Sequence, residues 1–231
     1  MVKGEKMLPT NGFRVARKLV PIFAAHDELD EARFTLLLAR TAAARGETVL
    51  MLDCQNGLLM QEAGIVYNKT LYDVLYEDAD IRDVKYVTSN EHFTAIAAGE
   101  LALETILGSL AALSLEYDWV FVGVPAGCTP EHVRLAGAAD ISLLGFDSGS
   151  DHFMRAYWMI DAIRQHHPRF DPYLVSFGNP LEAAETSLML RDTVNEFLGA
   201  PPPYVGHGMT PVMARAVLRL IDESSPQIRV A

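Results

Sequence analysis

The residues with the clearest potential for chemistry lie in one short acidic segment. Residues 26–33 join a strand-like apolar run at 18–25 to an amphipathic stretch at 34–44, and they contain no glycine. In an α/β protein, a glycine-rich phosphate-binding loop would stand at this place. The histidine and the four carboxylates of the segment are His26, Asp27, Glu28, Asp30 and Glu31.

This acidic segment has two interpretations. Its carboxylates could ligate a divalent cation. They also make a complete helix start, because Asp27 suits the N-cap position and because acidic groups in the first turn are favoured by the helix dipole. We therefore predict a solvated helix start rather than a metal site.

Three other places combine residues that could do chemistry. The run 53–57 begins with Asp53 and is either a ligand-binding switch loop or a polar turn that follows a buried strand. Cys128 precedes His132 by four positions, so a nucleophilic pair is conceivable, but no third group is evident and a structural role is favoured. The pair at 166–167 precedes a proline, which is typical of a helix C-terminus rather than of a metal site.

Strand-like and helical runs alternate along most of the chain. The strand-like runs are 18–25, 48–52, 93–97, 119–124, 141–146 and 173–177, and the helical runs are about 30–45, 70–76, 101–115, 131–137, 150–166, 181–198 and 210–222. Apolar strands that alternate with helices predict an α/β fold, a mostly parallel sheet with helices on both faces. Such sheets bind ligands beyond the carboxyl ends of their strands.

The composition predicts one domain, and we expect it to be cytoplasmic. A chain of 231 residues that is 50% hydrophobic can bury a sizeable core; we assign the domain to 17–231 and expect 1–16 to be a flexible N-terminal segment. The net charge of −11 argues against non-specific DNA binding, which depends on neutralising phosphates. No apolar run has the length of a membrane span or a signal peptide.

The two cysteines indicate a reducing compartment. Cys54 and Cys128 are the only cysteines, and they form no CxxC pattern. A disulfide framework and a zinc site are therefore both unsupported. We expect both side chains to be buried thiols.

Several short motifs follow one another in a recognisable order. They are ARTAAARGETVLMLD at 39–53, TLYDVL at 70–75, AAGEL at 97–101, EYDWVFVGVPAG at 116–127, AAD at 138–140, FLG at 197–199 and YVG at 204–206. In order and spacing they resemble the MinD/ParA family of deviant-Walker P-loop ATPases over roughly residues 18–222. The resemblance implies a P-loop NTPase-like fold of the MinD/ParA type.

The same resemblance implies that the nucleotide site is degenerate. Counting back from Gly46 at the family's helix length puts Glu31 at the Walker A lysine and Ala32 at the magnesium-binding hydroxyl, while Gly123 stands at the metal-associated aspartate. The segment 206–209 also departs from the family's Gly-x-Ile-Pro pattern. The vestigial nucleotide-site positions are Asp27, Glu31, Asp53, Gly123 and Gly127.

These departures predict a pseudo-ATPase that has no catalytic residues, no cofactor and no metal. We expect it to bind protein partners as a homo- or heterodimer, without nucleic acid and without stable membrane insertion. By resemblance, its role would be assembly or positioning of a bacterial machine, such as polysaccharide export or cell division. The alternatives are a residual ATPase that binds nucleotide through Asp53, Gly127 and 204–209, or a DNA-partition protein, which the acidity disfavours.

Overall fold

One mixed β-sheet forms the centre of the protein, whose computed structural model describes residues 18–25, 28–87 and 92–224. Within these ranges the strands are β1 (Lys18–Ala24), β2 (Val49–Asp53), β3 (Tyr86–Val87), β4 (Thr94–Ala97), β5 (Trp119–Gly123), β6 (Leu143–Phe146), β7 (Tyr173–Ser176) and β8 (Tyr204–His207). Their order is β3-β4-β2-β5-β1-β6-β7-β8. Every neighbouring pair is parallel except β3 with β4, which confirms the predicted mostly parallel sheet.

Helices cover both faces of this sheet. They are α1 (Leu29–Ala43), α2 (Leu58–Glu62), α3 (Leu71–Tyr76), α4 (Leu103–Leu113), α5 (Pro130–Ala138), α6 (Ser150–His166), α7 (Pro180–Leu198) and α8 (Pro211–Ser224). One apolar core joins the sheet to α1, α2 and α8, and a second joins it to α4, α5, α6 and α7. The α/β prediction of helices on both faces is therefore confirmed.

Strand β5 shows why both faces must be covered. Trp119 and Phe121 belong to the core beneath α1 and α8, whereas Val120 and Val122 belong to the opposite core. Successive side chains of a strand point to opposite faces, and all of these are buried. A strand that is apolar at every position can be stable only between two helical layers.

A buried charge lies where β1 and β5 begin. Lys18 is only 2% exposed, pairs with Asp222 of α8, and places its ammonium group 4.2 Å from the ring centroid of Trp119. The second carboxylate oxygen of Asp222 accepts a hydrogen bond from Arg45 at 2.7 Å. These contacts tie the last helix to the amino edge of the sheet.

The predicted strands and helices all occur, with ends displaced by at most two residues. Strands β3 and β8 and helix α2, which are short, were not predicted from the sequence. The predicted N-terminal segment 1–16 lies outside the described residues. Among the helices that are described, none is both long enough and apolar enough to cross a membrane.

Candidate functional site

The carboxyl edge of the sheet brings most of the predicted site positions together. Gly123 ends β5 and is in register with Asp53 on one side and with Ile22 on the other. Helix α1 begins just beyond β1, with Glu28 at its N-cap position and without a side-chain cap. Asp27, which we predicted as the N-cap, lies outside the described residues, and the cap position itself falls one residue later.

Glu31 does not lie on a solvated surface, so that part of the prediction is wrong. Its side chain is 3% exposed and packs between α1 and β6. The Glu31 Cγ and Oε1 atoms lie 2.5 Å from the point that a Cβ on Gly145 would occupy, so only glycine leaves room for them. Glu31, which the resemblance places at the Walker A lysine, is therefore a packed carboxyl group.

Glu28 occupies a hydrogen-bond donor of the neighbouring loop. Its Oε1 atom accepts a hydrogen bond from the Ala126 N–H at 2.5 Å. This loop follows β5 and includes Gly127, whose φ of 134° suits glycine. An N–H at the carboxyl edge of a parallel sheet is well placed for an anion, and here the anion is the chain's own carboxylate.

His132 holds the same loop in shape. Its Nδ1 atom accepts from the Thr129 N–H at 3.1 Å, so the proton is on Nε2, which donates to the Pro125 carbonyl at 2.9 Å. Both ring nitrogens are thus engaged, which leaves no free base for the conceivable pair with Cys128. Cys128 is exposed rather than buried as predicted, but desolvation still raises the pKa of its thiol, which disfavours the nucleophilic thiolate.

Asp53 is buried and hydrogen-bonded to its own loop. Its Oδ1 accepts from the Gln55 N–H at 2.7 Å and its Oδ2 accepts from the Met60 N–H at 2.9 Å, while the residue is 1% exposed. Burial raises the pKa of Asp53, although these N–H groups partly oppose the shift. Of the two interpretations of 53–57, the geometry supports a structured turn that Asp53 organises.

Gln55 is a site residue whose role no sequence pattern predicted. Its Nε2 donates to the Val124 carbonyl at 3.1 Å, and its Oε1 is buried without a hydrogen-bond partner. That Oε1 lies 2.7 Å from where a Cβ on Gly123 would stand. The amide thus fills the space that an aspartate side chain would need, and the glycine at the end of a strand was the one available signal.

We expect Gly123→Ala to lower the free energy of unfolding by about 1–3 kcal/mol, because the new methyl group would overpack against Gln55. In a Gln55→Ser background the same substitution should cost about 1 kcal/mol less, since the amide is gone. Urea unfolding of the four proteins measures this coupling. Equal costs in both backgrounds would show that the amide does not fill this space.

The residues at this edge do not fit magnesium and a triphosphate. Glu28, Glu31 and Asp53 are acidic groups, and the neutral amide of Gln55 lies beside Gly123, the position that the resemblance assigns to the metal-associated aspartate. Across the described parts of the chain, no three His, Cys, Asp or Glu side chains are grouped to hold a metal ion. A surface pocket of about 420 Å³ lies at the C-terminal ends of α5 and α6, at the opposite edge of the sheet.

The fold is a mostly parallel α/β fold of the P-loop NTPase-like kind. The structure is similar to MinD in a MinC:MinD cell division complex from Aquifex aeolicus (17% identity, TM-score 0.65, covering 90% of this chain and 86% of that one). It is also similar to a ParA family ATPase from Chlorobium tepidum (14% identity, TM-score 0.65, covering 89% and 92%) and to the cell division ATPase MinD of Pyrococcus furiosus (16%, 0.61, 92% and 90%). Neither protein-family models nor curated sequences match the chain. The chain therefore has the MinD/ParA fold, as predicted.

Proposed function

We propose that this chain is a MinD/ParA-like pseudo-ATPase, a protein-interaction subunit that keeps the fold and does not hydrolyse ATP. The observation that carries the proposal is the hydrogen bond from the Ala126 N–H to Glu28. A carboxylate of the chain itself takes a donor that an active site would offer to an anion. We therefore propose that the α/β domain acts by binding other proteins.

The charge at this edge also opposes a bound triphosphate. Two unit charges 4 Å apart repel by about 1 kcal/mol in water and by about 4 kcal/mol at the effective dielectric constant near a protein surface. Phosphoryl transfer depends on positive groups and metal ions that neutralise the phosphates. Glu28 and Glu31 place the opposite charge at the start of α1.

Asp53 and Gly123, the two positions that would bind magnesium in an active site, are also taken up by other contacts. Asp53 uses both oxygens for backbone N–H groups of its own loop. Gly123 has no side chain, and the adjacent space contains the Gln55 amide. A metal would have to break these contacts before it gained a ligand.

The test is titration calorimetry of the full chain with Mg-ATP, together with a phosphate-release assay. We expect no binding heat up to about millimolar nucleotide, which corresponds to less than about 4 kcal/mol of binding free energy, and no phosphate release. The matched variant Glu28→Gln keeps the size of the side chain and removes its charge; we expect it to remain inactive, because the metal positions are still missing. Magnesium-dependent binding in the micromolar range would instead support the residual ATPase.

The similar structures suggest the cellular process in which the protein acts. MinD is a cell division protein, and another similar structure is that of a plasmid partition protein from Borrelia burgdorferi. We infer a related role in assembly or positioning of a bacterial surface or division machine, through a homo- or heterodimer. Affinity capture of the full chain from its source cells, with retention on DNA measured at rising salt, separates a protein partner from a partition role.

A further inference from the structure

Helix α7 presents an unusual outward face. Its inner face packs on β7 and β8 through Ala183, Ser187, Leu190 and Val194. The outward side exposes Leu181, Leu188 and Met189 to 71%, 59% and 57%. Leu181 and Leu188 are two turns apart and so share one side of the helix. Apolar side chains clustered in this way mark an interaction surface.

The same face is acidic. Glu182, Glu185, Asp192 and Glu196 are all exposed, and within the described residues none of them forms an ion pair with a lysine or an arginine. The helix has one basic residue, Arg191, and its Nε donates to the Pro202 carbonyl at 3.0 Å. The complementary occupant is therefore a segment that combines apolar and basic side chains.

The chain itself contains such a segment at its N-terminus. Residues 1–17 hold four basic side chains and one acidic, a net charge of +3, and therefore 15 basic and 29 acidic side chains, or −14, remain in 18–231. Their apolar residues are Met1, Val2, Met7, Leu8, Phe13, Val15 and Ala16, interspersed with Lys3, Lys6, Arg14 and Arg17. We propose that residues 1–17 dock on the outward face of α7 of the same chain.

The topology permits this contact. Helix α7 connects two parallel strands, so it runs back to the edge of the sheet where the strands begin and ends there at Leu198. Strand β1 begins at the same edge at Lys18 and lies three strands from β8, a lateral distance of roughly 14 Å. Seventeen extended residues reach roughly 55 Å. A second copy could not cover the face with its own α7, because two sets of four acidic groups would meet.

The test uses a fluorescent peptide of residues 1–17 and full-length chains. In one chain the four basic residues of the N-terminal segment are replaced (Lys3→Gln, Lys6→Gln, Arg14→Gln and Arg17→Gln), which frees α7. Fluorescence anisotropy should show that the peptide binds this chain at least about tenfold more tightly than it binds the wild type, whose own segment competes. The affinity should fall as salt rises, because charge pairs contribute to it.

Further substitutions in the neutralised chain locate the site. Leu188→Ala with Met189→Ala, or Glu185→Lys with Asp192→Lys, should weaken the peptide about tenfold or more. Leu115→Ala and Glu100→Lys, exposed residues elsewhere on the surface, should leave the affinity unchanged. Equal binding to the wild-type and neutralised chains, absent binding to both, or equal loss in the control variants would overturn the proposal. A concentration-dependent dimer that the same four substitutions disperse would assign the contact to a second copy instead.

Discussion

Asp222→Asn is expected to lower the free energy of unfolding by about 3 kcal/mol, because it leaves a buried ammonium group without its counter-charge. Lys18 is 2% exposed and lies under α8 beside Trp119. Water cannot replace the lost partner at such a position. Urea unfolding of both proteins at about pH 7 measures the difference.

Lys18→Met is the matched control, because it removes the other member of the ion pair. We expect it to change the stability by less than about 1 kcal/mol, because methionine fills similar space without a charge. Asp222 would keep its hydrogen bond from Arg45, which is 2.7 Å long in the structure, and its side chain is already 30% exposed to water. If both substitutions lower the free energy of unfolding equally, the burial of the Lys18 charge does not explain the effect of Asp222→Asn.

The cost of Asp222→Asn should also depend on pH. Burial acts to raise the pKa of Asp222, but the hydrogen bonds from Lys18 and Arg45 outweigh it and leave the pKa below its ordinary value. A carboxyl whose folded pKa lies below the unfolded value stabilises the protein above the unfolded pKa and loses that contribution as the pH falls. The stability gap between wild type and variant should therefore narrow from about pH 7 to about pH 3.

The fold was predictable because its signals are periodic. Strands that are apolar on both faces must lie between two layers of helices, and strands that alternate with helices along the chain pair in parallel. The short elements gave no comparable signal. Tyr86–Val87 pairs only at the edge of the sheet, and Leu58–Glu62 is a helix because Asp53 accepts the N–H of Met60, a tertiary arrangement that no local pattern contains.

The candidate site was predictable in its positions but not in its contacts. Gly123 and Asp53 could be placed at one edge from the order of the motifs. The burial of Glu31 depends on Gly145, which lies on a strand more than a hundred residues away. The filling of the Gly123 position by Gln55 likewise depends on the conformation of a turn. Side-chain packing between distant segments is not encoded in spacing along the chain.

Asp53→Asn is expected to lower the free energy of unfolding by about 2–3 kcal/mol, because an amide can offer only one oxygen to two buried N–H donors. The amide nitrogen would then face the N–H of either Gln55 or Met60. A residue kept for a ligand should behave differently: neutralising a buried carboxylate that served only a ligand would be neutral or stabilising in the free protein. Urea unfolding of the ligand-free chain therefore distinguishes a loop-organising aspartate from a ligand-binding one.

Asp140→Asn is the control for this comparison. Asp140 also accepts a backbone N–H, from Leu19 at 2.8 Å, but it is exposed, so the cost should stay below about 1 kcal/mol. The pH dependence of the Asp53 variant should be opposite to that of the Asp222 variant. Because burial raises the folded pKa of Asp53, the folded wild type takes up a proton more readily than the unfolded chain, and its stability advantage over Asp53→Asn should widen as the pH falls from about 7 towards 4. A gap that narrows over this range would mean that the loop N–H groups, rather than burial, control the ionisation of Asp53.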